Sequence, residues 1–246
     1  MSRQSWSVRA VVTVCAVVGV VAGCTASPDA GVDAKPGSKG SRPTAGPTGG
    51  GSGPAGGGQP VRGLPGLSSA KVARGELAAL KVATERSMSG YSRDSFRHWV
   101  GQGDSCDTRE LVLQRAGTDV QRDASCKAVS GRWVSAYDGL VITDAKKLDI
   151  DHMVPLAAAW RSGAAGWNAD KRQQFANDLV RPQLLAVSAA TNRGKGDQTP
   201  DEWTPPARTF WCTYATAWTN VKSFYGLTVT GPEKSKLGEM LGTCAS

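Results

Sequence analysis

The chain has 246 residues and carries 29 Lys and Arg against 21 Asp and Glu, a formal net charge of +8. Half of that excess lies in residues 1–66, so the positive charge of the chain does not by itself establish a polyanionic partner. The remaining residues, 67–246, are numerous enough to bury a real hydrophobic core.

Residues 1–24 predict an export signal. Arg3 and Arg9 form a basic start, and the apolar run at 10–22 is too short to cross a bilayer comfortably. The run ends in Val-Ala-Gly-Cys24, which is similar to a bacterial lipobox, in which cleavage precedes a cysteine that then carries a lipid. We therefore expect an extracellular protein held on the cell membrane through a lipid at Cys24. The alternative is an ordinary signal peptide in which Cys24 is incidental.

Residues 25–66 are rich in Gly, Pro, Ser and Thr and contain almost no large apolar side chains. Such a segment cannot bury enough surface to offset its ordering entropy, so it predicts a disordered linker. As a flexible coil it would span roughly 35–40 Å, enough to hold residues 67–246 clear of a membrane surface.

The first part of the domain predicts a helix at 69–87 and two short strands. Between the helix and the strands, residues 91–100 form an aromatic and basic stretch of uncertain conformation. The strands fall near 132–135 and 140–143, and Asp138-Gly139 between them is typical of a hairpin turn.

The second part of the domain predicts a strand at 147–154 that stops at Pro155, broken helix at 155–178, a buried strand at 184–187 and a helix at 189–195. An aromatic stripe at 210–225, with Gly226 as a stop, predicts a core helix, because aromatic residues at helical spacing are usually core. A last helix places Leu237, Met240, Leu241 and Cys244 on one face.

Four cysteines belong to the domain: Cys106, Cys126, Cys212 and Cys244. An even number in an exported domain predicts two disulfides. A zinc site is the competing interpretation, but none of the four forms the close pair that zinc sites use. Of the three possible pairings, we favour the local one, which joins the first cysteine to the second and the third to the fourth.

Two strings carry most of the chemistry, LDIDHMVPL at 148–156 and NRGKGD at 192–197. The first places the carboxylate of Asp151 beside His152, one of only two histidines in the chain. The second offers the amide oxygen of Asn192 and the cations Arg193 and Lys195. An acidic ligand, a base, a second oxygen ligand and two cations are most of what a one-metal phosphodiesterase needs.

These strings match the two ends of the HNH endonuclease motif, and the segment 145–206 resembles that family. The intervening AWRSGAAGW and FANDLVRPQLLAV are similar to a branch shared by exported actinobacterial nucleases and the C-terminal module of GmrSD-type restriction enzymes. A weaker likeness extends over most of the domain, including YSRDSF and CDTRE. The resemblance implies an α+β fold in which a ββα-metal core, the HNH or His-Me finger, is embedded in a mostly helical, disulfide-braced domain.

The resemblance also implies the residue roles. His152 falls on the general base, because a neutral imidazole can take a proton from water at neutral pH. Asp151 and Asn192 fall on the metal ligands, and their oxygens favour Mg²⁺, or Mn²⁺ in its place. Arg193 and Lys195 are expected to hold substrate phosphates. Arg109 is a further candidate for a phosphate contact, with a salt bridge inside the domain as the alternative. The implied activity is hydrolysis of phosphodiester bonds in DNA, or in RNA, to 5′-phosphate ends, with no obligate protein partner.

Three positions complicate this interpretation. The family's middle Asn, which braces the loop that carries the base, is Gln183 here, and Asn177 is the residue expected to compensate. Strict alternation along a strand would send Asp151 and His152 to opposite faces, so the backbone must twist there. His98 is expected to be a packed or surface histidine and not a second ligand.

Two rival functions are open at this point. One is a cell-surface protein that binds nucleic acid on an HNH scaffold without cutting it. The other is a structural lipoprotein in which the ββα unit is only a disulfide-braced fold, and it predicts no salt-dependent binding of DNA.

Overall fold

The computed structural model describes residues 62–245. The predicted export signal, Cys24 and the linker up to residue 61 lie outside the described residues. Helices occupy α1 (Ala70–Ala79), α2 (Thr108–Ala116), α3 (Leu156–Arg161), α4 (Ala169–Ala176), α5 (Ala189–Lys195), α6 (Trp211–Tyr225) and α7 (Gly231–Leu241). Strands occupy β1 (Gly101–Gly103), β2 (Cys106–Asp107), β3 (Thr118–Arg122), β4 (Ala128–Val134), β5 (Val141–Ile142), β6 (Leu148–His152) and β7 (Leu184–Ser188).

The element that positions the site is an antiparallel pair of strands followed by a helix. Strands β6 and β7 pair in continuous register from Leu148 opposite Ser188 to His152 opposite Leu184. Helix α5 begins directly after β7 and runs back to Lys195. The predicted strand at 184–187 and the predicted helix at 189–195 are confirmed.

Helices α1, α6 and α7 surround the larger core, which includes Tyr214 and Trp218 of the predicted aromatic stripe. Both rings are fully buried and pack against each other with centroids 5.7 Å apart. Helix α6 ends at Gly226, which adopts the left-handed conformation that a glycine enters without strain. The stripe is therefore core, as its helical spacing predicts.

A three-stranded sheet in the order β3-β4-β5 and the hairpin β1-β2 complete the fold. Trp133 of β4 is buried in a second core against Val112 and Leu113 of α2, and its indole N–H donates to the carbonyl of Leu113 at 2.8 Å. The disulfides join Cys106 to Cys126 and Cys212 to Cys244, so the local pairing is confirmed. The expected fold is confirmed as a mixed helical and sheet domain with two disulfides.

The prediction of one helix over 69–87 is wrong in its second half. Ser69 caps the helix as its side chain accepts from Val72 N, but the helix stops at Ala79. Beyond it the chain extends so that Val82 pairs with Val229 in a parallel bridge. This pairing lies far away in the sequence, so a local pattern does not reveal it. Within residues 62–245 no helix has the length and apolar character to span a bilayer.

A buried ion pair joins α6 to the start of α7. The ammonium of Lys222 lies 2.6 Å from the carboxylate of Glu233, and both side chains are almost fully buried. The same carboxylate accepts from the indole N–H of Trp218 at 2.6 Å, and Lys222 also donates to the carbonyl of Thr228. Burial lowers the pKa of Lys222, and the neighbouring Glu233 opposes that shift.

Lys222→Met should lower the free energy of unfolding by about 3–5 kcal/mol, because it leaves the Glu233 carboxylate buried without its cation. Lys236→Met is the matched control, since Lys236 pairs with Glu239 near the surface and such pairs contribute at most about 1 kcal/mol. Chemical denaturation of the two variants compares them directly. Equal losses would contradict a special role for the buried pair.

Candidate active site

The two motif strings meet at one cavity of about 310 Å³. Asp151 and His152 come from the end of β6, and Asn192 and Arg193 come from α5. The residues Tyr91 and Arg93, from the aromatic and basic stretch, line the same cavity. The structure therefore brings together residues from Tyr91 to Arg193 that lie far apart in the chain.

The cavity lies at the end of β6, where both Asp151 and His152 line it. The ladder runs unbroken to His152. After it, Gln183 holds the chain. Its backbone carbonyl accepts from Met153 N at 2.7 Å, and its side-chain amide bonds both the N–H and the C=O of Val154, at 3.1 and 3.0 Å. Gln183 thus braces the loop after His152 from a fully buried position.

His152 is held as a neutral imidazole with one nitrogen committed. Its side chain is only 4% exposed, and Nε2 lies 2.9 Å from the carbonyl of Ala176. Because a carbonyl oxygen can only accept, Nε2 carries the proton and Nδ1 of the neutral ring keeps its lone pair. Burial lowers the pKa of His152 to about 3, and nearby positive charges add to that effect. The ring can therefore accept a proton at Nδ1.

Lys195 is buried, whereas a residue that binds a substrate phosphate would be accessible at the cavity. Its side chain is 0% exposed, and its ammonium donates to Asp151 Oδ2 at 2.7 Å and to the carbonyls of His152 and Met153. A buried ammonium with three acceptors is not available to substrate, so the prediction for Lys195 is corrected. It ties the last residue of α5 to the end of β6.

The carboxylate of Asp151 has one oxygen occupied. Oδ2 accepts from Lys195 and from the hydroxyl of Tyr137, which is itself fully buried. Burial raises the pKa of Asp151, whereas the contacts with Lys195 and Tyr137 lower it. With both recorded bonds on Oδ2, Oδ1 is the oxygen that Asp151 can offer to a ligand in the cavity.

Asp149 orients Asn192, and the sequence interpretation missed it. Asn192 Nδ2 donates to Asp149 Oδ2 at 3.3 Å, which leaves the amide oxygen of Asn192 for another partner. Arg193 Nε lies 3.8 Å from the same carboxylate while its side chain is 76% exposed. The available signal was spacing, because residues two apart on a strand share a face and Asp149 is two residues before Asp151.

Arg109 does not reach the cavity. Its Nη2 donates to the carbonyls of Ala145 and Leu148, at 3.2 and 3.1 Å, and it fastens α2 to the start of β6. The expected phosphate contact of Arg109 is therefore corrected to a structural one.

Asn177 fixes a segment that covers His152. Its amide donates to the carbonyl of Arg97 at 2.7 Å and accepts from the N–H of Val100 at 3.1 Å, on either side of His98 and Trp99. The Trp99 ring lies 5.6 Å from the His152 ring, and His98 lies 6.4 Å away. Trp99 has φ 58°, a strained conformation for a bulky residue that persists only where its surroundings enforce it. Asn177 therefore braces this segment and not the loop after His152, which Gln183 holds.

The oxygen donors at the cavity are those that hard divalent cations prefer. Asp151 and Asn192 each keep one oxygen outside their recorded bonds, and Mg²⁺ commonly completes its shell with water. Across residues 62–245 there is no cluster of three or more His, Cys, Asp or Glu side chains suited to a metal. The oxygen atoms of Asp151 and Asn192 have the donor chemistry that such an ion takes.

Lys195→Met should destabilise the fold by about 3–5 kcal/mol, because the Asp151 carboxylate loses its buried cation. Arg193→Met, two residues away on the same helix but exposed, should change the unfolding free energy by less than about 0.5 kcal/mol. The double variant Lys195→Met/Asp151→Asn should recover part of the loss, since neither charge is then left alone. Similar stabilities for the two single variants, measured by chemical denaturation, would contradict the assignment of Lys195.

The buried His152 should make the protein sensitive to acid. In the unfolded chain the imidazole of His152 takes up a proton near pH 6.5, whereas in the folded chain it does so only near pH 3. The contribution of His152 to the free energy of unfolding is therefore complete above pH 6.5 and is lost as the pH falls toward 3. At about pH 4.5 the loss should be of order 2–3 kcal/mol relative to neutral pH. Chemical denaturation at several pH values should show no such loss for His152→Asn. If the free energy of unfolding fell equally with pH in the wild type and in His152→Asn, the assignment of the loss to His152 would be wrong.

Comparison with known proteins identifies the family. Residues 108–240 match the family described as GmrSD restriction endonucleases, C-terminal domain, and this range includes Asp151, His152 and Asn192. An uncharacterized secreted protein of Arthroderma benhamiae is 52% identical over 185 residues, which cover 75% of this chain and 91% of that protein. That relative is fungal, so it does not support the expected actinobacterial branch. No solved structure matches the chain. On the family match and this identity, the chain belongs to the family of the C-terminal domain of GmrSD restriction endonucleases.

Proposed function

We propose that the protein is an HNH-type, metal-dependent endonuclease that hydrolyses phosphodiester bonds in DNA, or in RNA. The observation that carries this proposal is the neutral His152 with its Nδ1 uncommitted, at a cavity that Asp151, Asn192 and Arg193 also line. Membership in a family of restriction endonuclease domains supports the same reaction class.

His152 is the general base. Its Nε2–H is fixed on the carbonyl of Ala176, so Nδ1 accepts a proton from the attacking water. The lowered pKa of about 3 makes His152 a weak base by itself. A phosphodiester anion beside the ring favours the imidazolium, so bound substrate raises this pKa toward the working range. The covering Trp99 and the carbonyl of Ala176 keep the ring in one orientation.

Asp151 would hold the metal ion, Mg²⁺ or Mn²⁺, through Oδ1, and Asn192 would hold it through its amide oxygen. When bound, such an ion stabilises the negative charge on the phosphate and on the leaving 3′ oxygen. Lys195 and Asp149 orient the two donors from behind. Arg193, which is exposed at the cavity, binds a phosphate oxygen of the substrate.

We further propose that the protein works outside the cytoplasm. The Arthroderma benhamiae relative is named a secreted protein, and two disulfides suit an oxidising environment. Attachment to the membrane through a lipid on Cys24 is part of this proposal and rests on the sequence of residues 1–24.

A second candidate function is binding of nucleic acid without cleavage. One specific contact favours it, because the ammonium of Lys195 already neutralises the Asp151 carboxylate at 2.7 Å. A carboxylate with its charge compensated attracts a divalent cation less strongly than one without a cation beside it. The endonuclease needs a divalent metal and His152 for its activity, whereas binding without cleavage needs neither.

The test is cleavage of supercoiled plasmid and of RNA by the full chain with its disulfides intact, in Mg²⁺, in Mn²⁺ and with chelator. Chelator should abolish cleavage, and His152→Asn should lower the rate at least about 100-fold, the contribution typical of a general base. His98→Asn, which removes the other histidine, is the matched control and should retain most activity.

The possible results separate the candidates. Metal-dependent cleavage that His152→Asn loses and His98→Asn keeps supports the endonuclease. Salt-sensitive binding by the wild type without cleavage in any metal would replace it with the binding function. Cleavage that survives in His152→Asn, when thermal unfolding shows all three proteins folded, would remove His152 from the reaction.

A further inference from the structure

One of the charged side chains that line the cavity lacks an ion-pair partner within residues 62–245. Asp151 is paired with Lys195, and Asp197 is paired with Arg161 at 2.6 Å. Arg193 lies near Asp149 at 3.8 Å. Arg93 lines the cavity as well, and within residues 62–245 it has no recorded ion pair or side-chain hydrogen bond. Its guanidinium is exposed, so an anion can reach it.

The backbone that carries Arg93 is anchored on both sides. Arg93 begins a 3-10 turn at Arg93–Ser95, which Ser92 caps by accepting from Asp94 N at 3.2 Å. Before the turn, Tyr91 packs edge-on against Trp160 with centroids 5.8 Å apart. After it, Phe96 is fully buried. The backbone position of Arg93 at the cavity is therefore set by the fold, and its exposed side chain extends from that point.

Tyr91 lies beside Arg93 on the same wall, and burial raises the pKa of its phenol, with the charges of Arg93, Asp197 and Arg161 making smaller contributions. The hydroxyl is therefore neutral and can donate a hydrogen bond at physiological pH. An unpaired guanidinium beside a neutral hydroxyl is a suitable set of donors for a phosphodiester oxygen.

We infer that Arg93 forms a separate phosphate-binding subsite, which holds a backbone phosphate next to the one that is cleaved. This inference rests on the proposed function. The reacting phosphate is met by Asp151, His152, Asn192 and Arg193 from β6 and α5, whereas Arg93 enters from a different segment of the chain. The subsite thus gives a preference for polymeric nucleic acid over an isolated phosphodiester.

Binding tests the subsite without cleavage. The full chain and its Arg93→Gln variant are titrated, in chelator, with a short fluorescein-labelled DNA duplex at several salt concentrations. Arg93→Gln should weaken binding about fivefold to tenfold and make the plot of log affinity against log salt shallower by about 0.9, the value of one phosphate contact on duplex DNA.

Arg97→Gln is the matched control. It removes the same charge four residues away from an exposed side chain that does not line the cavity. It should leave the salt slope unchanged. Equal effects of Arg93→Gln and Arg97→Gln on the slope would overturn the subsite, because only general electrostatics would then be at work.

Catalysis shows which phosphate is bound. Bis(p-nitrophenyl) phosphate has a single phosphodiester and no neighbouring phosphate. Arg93→Gln should lower kcat/KM about tenfold on DNA and much less on this small substrate. An equal loss on both substrates would place Arg93 at the reacting phosphate and overturn the inference of a separate subsite.

Failure of the subsite and failure of the proposed function give different results. A wild type that binds DNA but cleaves nothing, with binding that Arg93→Gln weakens, would refute the endonuclease and retain the subsite. If the wild type cleaves DNA and the two variants Arg93→Gln and Arg97→Gln bind DNA equally, the subsite would be refuted and the endonuclease retained. A wild type that binds no nucleic acid would refute both.

Discussion

The buried contact between Lys195 and Asp151 is the interaction on which the candidate site depends. It joins the last residue of α5 to the end of β6, and the same ammonium holds the carbonyls of His152 and Met153. A charge without a partner is costly in a dry interior, so the pair allows few alternative arrangements of helix and strand. The pair thereby holds together the two elements, β6 and α5, that carry Asp151, His152 and Asn192.

Two layers of polar groups build the cavity. An inner layer of buried side chains, including Gln183, Tyr137 and Lys195, satisfies backbone and carboxylate groups and faces no substrate. An outer layer, including Asn192, Arg193 and Arg93, keeps donors and acceptors available at the cavity surface. Rigid support behind accessible groups is the arrangement that fixes reacting atoms with little reorganisation.

Much of the architecture could be predicted from local patterns. The strand at 184–187, the helix at 189–195 and the stop at Gly226 follow from periodicity and from the conformational freedom of glycine. What the sequence could not reveal is which polar residues are buried. Lys195 and Arg193 lie in one string with equal charge, yet one is enclosed and the other exposed, because burial depends on the helix face that meets β6. The contacts of Arg109 were missed because their carbonyl partners, at Ala145 and Leu148, lie far away in the sequence.

The end of α4 couples two parts of the site. Ala176 supplies the carbonyl that orients His152, and the next residue, Asn177, fastens the segment with the strained Trp99 over the same ring. Fraying of this one helix terminus would therefore release the imidazole and its cover in a single local opening. Amide hydrogen exchange at the C-terminal turn of α4 would report directly on how often the site loses its working geometry.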